Sequence, residues 1–270
     1  SQEARAYALL GMCLSISFLG LTGLATRWRD NCSNFTFATF LGAGGGLYAL
    51  GLIAALYTHN IAVFYWLGAQ IFFLVWWVRP FRLSLPCLVS WGTVNLSVLL
   101  LWTPWLMASL QMIDTGTFSW LPQPTPEFAV ATWRSVHGFR TLDFAQPYAD
   151  FALLLAGIGG IYSLRRNTAL LALFVGLLAF SSAAIWAYGL VGTPIFMLRT
   201  ILWGSFISAA LIGMGLSRLP KIPGAIVLIV FVAGEAKGVY DYHKTNFAEG
   251  EDWRSVAAVI SQNQKPNDLL

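Results

Sequence analysis

Charged residues are scarce in this chain of 270 residues. Asp, Glu, Lys and Arg make up 10% of it, 57% is hydrophobic, and the mean hydropathy is +0.66. About 25% charge is usual in a soluble domain. The charges cluster between apolar runs, many of which reach the roughly 17–25 residues that a bilayer-spanning helix needs. The composition therefore excludes an ordinary soluble domain and predicts a protein that crosses the membrane several times.

Several kinds of binding chemistry are also missing from the sequence. The cysteines, Cys13, Cys32 and Cys87, are too few and too scattered for a disulfide framework. No Asp-x-Asp pair occurs, so no metal site is predicted and no cofactor is evident. Although the pI is about 9.1, the basic residues lie between apolar spans. This placement predicts no nucleic-acid partner.

Eight apolar spans are predicted, at residues 6–25, 36–57, 61–78, 86–108, 147–164, 168–190, 201–216 and 222–236. The second span is rich in glycine, which predicts close helix packing because small residues let backbones approach in lipid. Its glycines are Gly42, Gly44, Gly45, Gly46 and Gly51. The predicted fold is an all-α polytopic membrane protein with about eight transmembrane helices over residues 1–236.

Basic residues in the short loops predict the orientation. One set of alternate loops contains a single acid, Asp30, and these basic residues: Arg27, Arg29, Arg79, Arg82, Arg165, Arg166, Arg218 and Lys221. The positive-inside rule places this set in the cytoplasm. The 109–150 loop and the tail at 237–270 then face outward. The Asn-x-Ser/Thr sequences at Asn31, Asn34 and Asn95 are expected to carry no glycan.

The outward loop at 109–150 contains one predicted helix. Thr125 suits an N-cap and Pro126 the first helical position, so a helix is expected at 126–139. It would place Phe128, Ala131, Val136 and Phe139 roughly on one side. Either a helix on the membrane surface or a plain amphipathic connector would show this pattern.

Four segments, in order along the chain, form a combination found in one class of enzyme. They are SQEARAYALL at 1–10, YTHN at 57–60 with Gln70 after it, FMLR at 196–199, and EDWR at 251–254 followed by Pro266-Asn267-Asp268. Together they resemble polytopic membrane glycosyltransferases of the GT-C class. The resemblance is to glycosyltransferase family 39-like enzymes, relatives of the protein O-mannosyltransferases and aminoarabinose transferases. Thr200 departs from the family pattern, which has an aromatic residue there.

The resemblance implies an inverting transfer of a hexosyl or mannosyl-type sugar. The donor would be a polyprenyl-phosphate sugar, and the acceptor would be a glycan, lipid or protein on the outer face of the bacterial inner (plasma) membrane. Arg5 and Arg199 would bind the donor phosphate, because the arginine fork matches phosphate oxygens. The cavity would be lined by Glu3, Tyr7, Tyr57 and His59.

The resemblance also implies that parts of the enzyme lie outside these residues. In the family a catalytic Asp or Asp-Glu base stands in an outer loop before the element at Ser1. We therefore expect a fragment that lacks its catalytic base and is inactive alone. Residues 237–270 would begin an outer-face α/β domain, with a helix at 252–262 followed by a turn and a strand.

Other interpretations of the same residues stay open. Arg5 and Arg199 also suit interfacial anchors, and His59 suits a polar cap at a helix end. A transporter or a non-enzymatic membrane subunit would show eight spans too, and another enzyme of lipid-linked glycans would share the substrate. A transporter usually carries charged residues in mid-membrane or inverted repeats, and neither is evident here.

Overall fold

The computed structural model describes residues 2–30, 36–78, 85–113, 124–136, 146–192, 194–249 and 259–260. Within these ranges all regular structure is helical. The α-helices are α1 (Gln2–Asp30), α2 (Phe37–Phe40), α3 (Gly46–Thr58), α4 (Ala62–Val78), α5 (Leu85–Ile113), α6 (Pro126–Val136), α7 (Gln146–Leu164), α8 (Thr168–Val175), α9 (Ser181–Val191), α10 (Trp203–Leu216) and α11 (Lys221–Glu249). Two π-helical segments, Leu41–Gly45 and Gly176–Phe180, and a 3-10 helix, Leu198–Ile201, complete the set.

Four stretches are long and apolar enough to cross a membrane. They are Ala6–Arg27, Phe37–Thr58, Leu85–Leu110 and Thr168–Val191. They coincide with the predicted spans one, two, four and six. Four shorter apolar helices, at Ala62–Leu74, Leu154–Leu164, Trp203–Leu216 and Lys221–Gly234, coincide with the other predicted spans. The all-helical fold and four candidate membrane-spanning helices are thus established, and the count of eight stays a prediction.

Contacts between pairs of residues on neighbouring helices show the relative direction of those helices. Gly20 of α1 lies against Tyr48, and Ser17 lies against Gly51, so α1 and α3 are antiparallel. Gly11 faces Leu202 and Phe18 faces Phe206, so the start of α10 lies beside the first half of α1.

The remaining pairs complete this arrangement. Tyr48 and Tyr57 of α3 hydrogen-bond to successively later residues of α5, so these two helices are parallel. Gly68 of α4 contacts Ser181 and Phe64 contacts Tyr188, so α4 is antiparallel to α8 and α9. Hence two ends can be defined. The Tyr7 end holds the start of α1, the turn at 58–61, the end of α5, the end of α9 and the 3-10 helix.

The opposite end, here called the Arg27 end, holds the end of α1 and the turn at Arg165 and Arg166. α8 starts at this end because it runs antiparallel to α4. The short turn at Arg165 and Arg166 therefore brings the end of α7 to it as well. α10 packs antiparallel to α7, since Gly160 lies against Leu211 and Gly215 against Ala156, so Arg218 and Lys221 follow at the other end of this helix pair. Arg27 donates to the Gly42 carbonyl at 3.0 Å, within the first π-helical segment.

Glycines allow the backbones of α1 and α3 to touch. A Cβ atom at Gly51 would lie 2.5 Å from the Ser17 nitrogen, and Gly44 has φ 131°, which favours glycine. The predicted packing role is therefore confirmed for Gly44 and Gly51. Gly45 packs on Phe40 of its own span. The prediction is wrong for Gly42, whose Cβ would meet nothing within 4 Å.

Similar contacts join other helices. Gly68 of α4 lies against Gly176 of the second π-helical segment. Gly160 of α7 lies against Leu211 of α10, and Gly215 lies against Ala156. At these contacts the helix backbones pack directly against each other, with no large side chain between them.

The predicted helix at 126–139 begins as expected and ends at Val136. The Phe128 N–H donates to the Thr125 hydroxyl at 3.2 Å, which confirms the N-cap. The predicted apolar side is wrong at Ala131, which is exposed, because Phe128 and Ala129 turn toward the core and Thr132 is buried. The side chains of Val136 and Phe139 lie outside the described residues.

The last helix is longer than predicted. Span eight was expected to end at 236, whereas α11 continues to Glu249. At 1.5 Å per residue its 29 residues extend about 43 Å. Residues 237–249 lack proline, so nothing stops the helix. Val259 and Ile260 are helical, inside the predicted helix at 252–262, and the predicted turn and strand lie outside the described residues.

Candidate functional site

A tyrosine and a histidine from distant parts of the chain meet at the Tyr7 end. Tyr7 lies near the start of α1, and His59 ends α3 with an extended backbone, φ −161° and ψ 127°. That conformation turns the chain into α4 and directs His59 toward α1. Its Nε2 lies 3.1 Å from the Tyr7 hydroxyl, and the two ring centroids are 5.3 Å apart.

The hydrogen bonds of His59 indicate its neutral tautomer. The Ile61 N–H donates to His59 Nδ1 at 3.2 Å, so that nitrogen acts as an acceptor. A neutral imidazole then carries its proton on Nε2 and donates it to the Tyr7 oxygen. This hydrogen bond ties the start of α1 to the turn between α3 and α4.

Asn60 adds an acceptor beside this pair. Its side-chain oxygen is buried and has no hydrogen-bond partner among the described residues. A buried amide oxygen without a donor costs about 1–3 kcal/mol. It would gain from a hydroxyl or N–H donor supplied by a ligand.

Tyr57 lies at the same end but faces another helix. Its hydroxyl donates to the Leu101 carbonyl at 2.6 Å, and its ring stacks on Trp105 at 6.2 Å. Both contacts are to α5. The structure therefore brings Tyr7 and His59 together and places Tyr57 apart from them.

The structure describes only the backbone positions of Arg5, Glu3 and Arg199. Arg5 and Glu3 lie in the first turns of α1, and Arg199 lies in the 3-10 helix. All three side chains are outside the described part of the chain. A Cβ at Gly11 would lie 3.3 Å from the Leu202 side chain, so the 3-10 helix lies beside the first half of α1. Arg5 is about 9 Å along α1 from that contact.

The segment before α6 packs against the end of α9, and α6 itself contacts the 3-10 helix. The Trp186 indole donates to the Pro124 carbonyl at 2.8 Å, and Gly189 lies against Pro124. Thr200, where the resemblance leads one to expect an aromatic residue, caps the 3-10 helix: its hydroxyl accepts from the Met197 N–H at 3.0 Å. The loop helix therefore belongs to the bundle at the Tyr7 end.

A second polar group lies inside the bundle, and the sequence analysis missed it. The Asn95 Oδ1 atom accepts three hydrogen bonds, from Tyr48 at 2.8 Å, Trp66 at 2.6 Å and Gln70 at 2.9 Å. Gln70 also accepts from the Trp91 indole at 3.0 Å. We call these five residues the amide cluster. Two amide side chains within predicted spans were the signal that could have revealed it.

The amide cluster holds α3, α4 and α5 together. Asn95 donates to the Trp91 carbonyl at 2.9 Å, and the Trp91 ring stacks on Tyr48 at 5.2 Å and on Phe73 at 5.0 Å. Because the Asn95 oxygen already has three donors, it is saturated. This arrangement is suited to fixing helices rather than to binding a ligand.

No metal centre forms among the described residues, since no group of three or more His, Cys, Asp or Glu side chains comes together there. Comparisons of the chain with protein-family models, with curated proteins and with solved structures found no match. The functional assignment therefore depends on the geometry of the chain itself.

Proposed function

We propose that the chain is part of a GT-C-type membrane glycosyltransferase that binds a polyprenyl-phosphate sugar at the Tyr7 end. One observation carries the proposal. Three segments that resemble family elements, around Tyr7, His59 and Arg199, are far apart in sequence and lie at the same end of the bundle.

The roles of the residues follow from the chemistry of the donor. Arg5 and Arg199 bind the phosphate and stabilise the negative charge that develops as the lipid phosphate leaves. Tyr7, His59 and Asn60 hydrogen-bond the sugar hydroxyl groups, which both donate and accept. The lipid chain stays in the bilayer beside α1 and α10. Glu3 and Tyr57 border the same region.

The topology we propose has eight crossings. The basic residues of the short loops support it through the positive-inside rule, and the turn at Arg165 and Arg166 lies at the Arg27 end. With that end in the cytoplasm, the Tyr7 end and α6 face the outer side of the bacterial inner membrane. The acceptor glycan, lipid or protein then approaches from outside.

The catalytic base is not assigned to a described residue. Glu127, in the first turn of α6, is exposed and makes no recorded hydrogen bond in the described part of the chain. We therefore assign donor binding to this chain and place the carboxylate base, which deprotonates the acceptor hydroxyl, in the family's preceding outer loop. The domain proposed to begin near 237 would lie beyond the membrane on the same side.

A transporter is the main alternative, and the amide cluster is its best support. Polar residues in mid-membrane often mark a substrate pathway. In this chain, however, the Asn95 oxygen is saturated by three donors. The cluster thus has little capacity for a substrate, and we favour the enzyme.

Binding of the donor to the purified chain tests the proposal without requiring catalysis. Polyprenyl-phosphate mannose would be titrated into the protein in lipid nanodiscs and followed by native mass spectrometry. Each charge-assisted hydrogen bond contributes about 1.5–3 kcal/mol. We therefore expect Arg5→Gln with Arg199→Gln to weaken binding by more than about tenfold.

The control variant is Arg27→Gln, which removes an arginine at the opposite end. It should leave donor binding unchanged, since Arg27 donates to the Gly42 carbonyl far from Tyr7. Unchanged donor binding in the double variant, or an equal loss in the control, would contradict the proposal.

A further inference from the structure

The 3-10 helix that carries Arg199 is short and depends on contacts with other helices. It comprises four residues, Leu198–Ile201. Helices of this type have poorer hydrogen-bond geometry than α-helices, so a single turn is weakly stable by itself. Two of its residues are buried, Thr200 at 5% exposed and Ile201 at 0%. Its position in the bundle is therefore set by the residues packed around it.

Trp203, which begins α10 two residues after this helix, anchors it to another span. The Trp203 side chain is 0% exposed, and its Nε1–H donates to the Leu177 carbonyl at 3.0 Å. Its ring also packs edge-to-face against Tyr65 of α4, with 6.1 Å between the ring centroids. Because a buried indole N–H without an acceptor is costly, this hydrogen bond keeps Trp203 beside Leu177.

The acceptor carbonyl belongs to the second π-helical segment, Gly176–Phe180. There the Ser181 N–H donates to the Gly176 carbonyl, five residues back, so the regular α-helical pattern of hydrogen bonds is interrupted. Single π-helical turns of this kind occur frequently at functional sites. The Leu177 carbonyl, next to this interruption, serves a side chain of another helix. The π-helical segment is thus the attachment point for the residues that follow Arg199.

We propose that Trp203 is a positioning residue that holds Arg199 in place for the donor phosphate. This inference rests on the proposed function, in which Arg199 binds that phosphate. Charge-assisted hydrogen bonds need donor–acceptor distances of about 2.7–2.9 Å, so a small shift of the 3-10 helix weakens them. Trp203 lies in the bundle core and acts through the backbone that joins it to Arg199.

A double-mutant cycle tests this role, with binding of polyprenyl phosphate measured on the full chain in nanodiscs. Trp203→Phe keeps a buried ring and removes the indole N–H. We expect it to weaken binding about fivefold, which corresponds to one lost hydrogen bond. In the Arg199→Gln background the same change should have no further effect, because residues that act as a unit are not additive. A general loss of stability would weaken binding equally in both backgrounds.

The matched control is Trp91→Phe. Trp91 is also buried, and its indole donates to Gln70 at 3.0 Å within the amide cluster. This variant loses a comparable hydrogen bond and should leave polyprenyl phosphate binding unchanged. Should Trp203→Phe not fold, 3-benzothienylalanine in place of Trp203 removes only the N–H and keeps the shape of the ring.

Hydrogen exchange of the backbone amides at 198–203 gives a readout that needs no donor. It should be faster in Trp203→Phe than in the wild-type chain and unchanged in Trp91→Phe. If Arg199→Gln alone leaves polyprenyl phosphate binding unchanged, the proposed function and this inference both fail. If Arg199→Gln weakens binding, three results overturn the inference alone: no loss of binding in Trp203→Phe, an equal loss in both backgrounds, or unchanged hydrogen exchange.

Discussion

The amide cluster and the Tyr7–His59 pair use polar side chains in two different ways. In the cluster the Asn95 oxygen has three donors and its amide nitrogen is also used. At the Tyr7 end, His59 donates to Tyr7, and the neighbouring Asn60 oxygen has no partner within the described chain. The comparison teaches that saturated polar groups hold helices together, whereas groups with remaining hydrogen-bonding capacity are suited to a ligand.

The largest effect is expected from Asn95→Leu. It leaves the Tyr48, Trp66 and Gln70 donors without their acceptor inside the bundle, so we expect a loss of about 2–4 kcal/mol in unfolding free energy. Denaturant titration in detergent micelles measures it. Ser97→Ala is the matched control, because Ser97 is exposed and bonds to the Thr93 carbonyl of its own helix. A loss of unfolding free energy smaller than that of Ser97→Ala would contradict a structural role for the cluster.

The next largest effect is expected from Gly51→Ala. The added Cβ would meet the Ser17 nitrogen at 2.5 Å and the Cys13 carbonyl at 2.6 Å, so α1 must move from α3. Overpacking of this kind costs about 1–3 kcal/mol. The shift would also separate Tyr7 from His59, so donor binding should fall as well.

The control for this variant is Gly42→Ala in the same span, where no atom lies within 4 Å. Thermal unfolding of both variants gives the comparison. Equal unfolding temperatures for the two would show that the close approach of α1 and α3 does not limit stability.

A smaller effect on stability is expected from Tyr7→Phe, which removes only the hydroxyl. Because the hydrogen bond to His59 is partly exposed, its loss should cost about 0.5–1.5 kcal/mol. Binding of polyprenyl-phosphate mannose should weaken more than binding of polyprenyl phosphate without sugar. Equal weakening for both ligands would argue against a sugar contact at Tyr7.

The smallest effect on ligand binding is expected from Tyr57→Phe. The Tyr57 hydroxyl is already engaged with the Leu101 carbonyl on α5. Donor binding measured by the same titration should therefore stay within about twofold of wild type. A loss of donor binding as large as that of Tyr7→Phe would indicate that Tyr57 lines the donor cavity.

Periodic and local features of the fold could be predicted from the sequence. Long apolar runs predicted the four longest candidate spans, and Thr125 with Pro126 predicted the start of α6. The extension of α11 to Glu249 was missed because composition reports where a chain leaves the membrane, not where a helix ends.

Long-range contacts of the site were only partly predictable. The order of the segments suggested that Tyr7 and His59 share a side of the membrane, but their contact depends on the packing of α1 against α3. The amide cluster was missed because Asn95 and Gln70 lie on different helices. Their pairing depends on how α4 packs against α5, which periodicity does not encode.

The most direct test of the central claim is to map where the donor lipid contacts the chain. A photoactivatable polyprenyl phosphate would be cross-linked to the purified protein in nanodiscs, and the modified peptides identified by mass spectrometry. The account predicts cross-links in the first turns of α1, in the turn at 58–61 and in the 3-10 helix at Leu198–Ile201. Cross-links confined to the Arg27 end would contradict it.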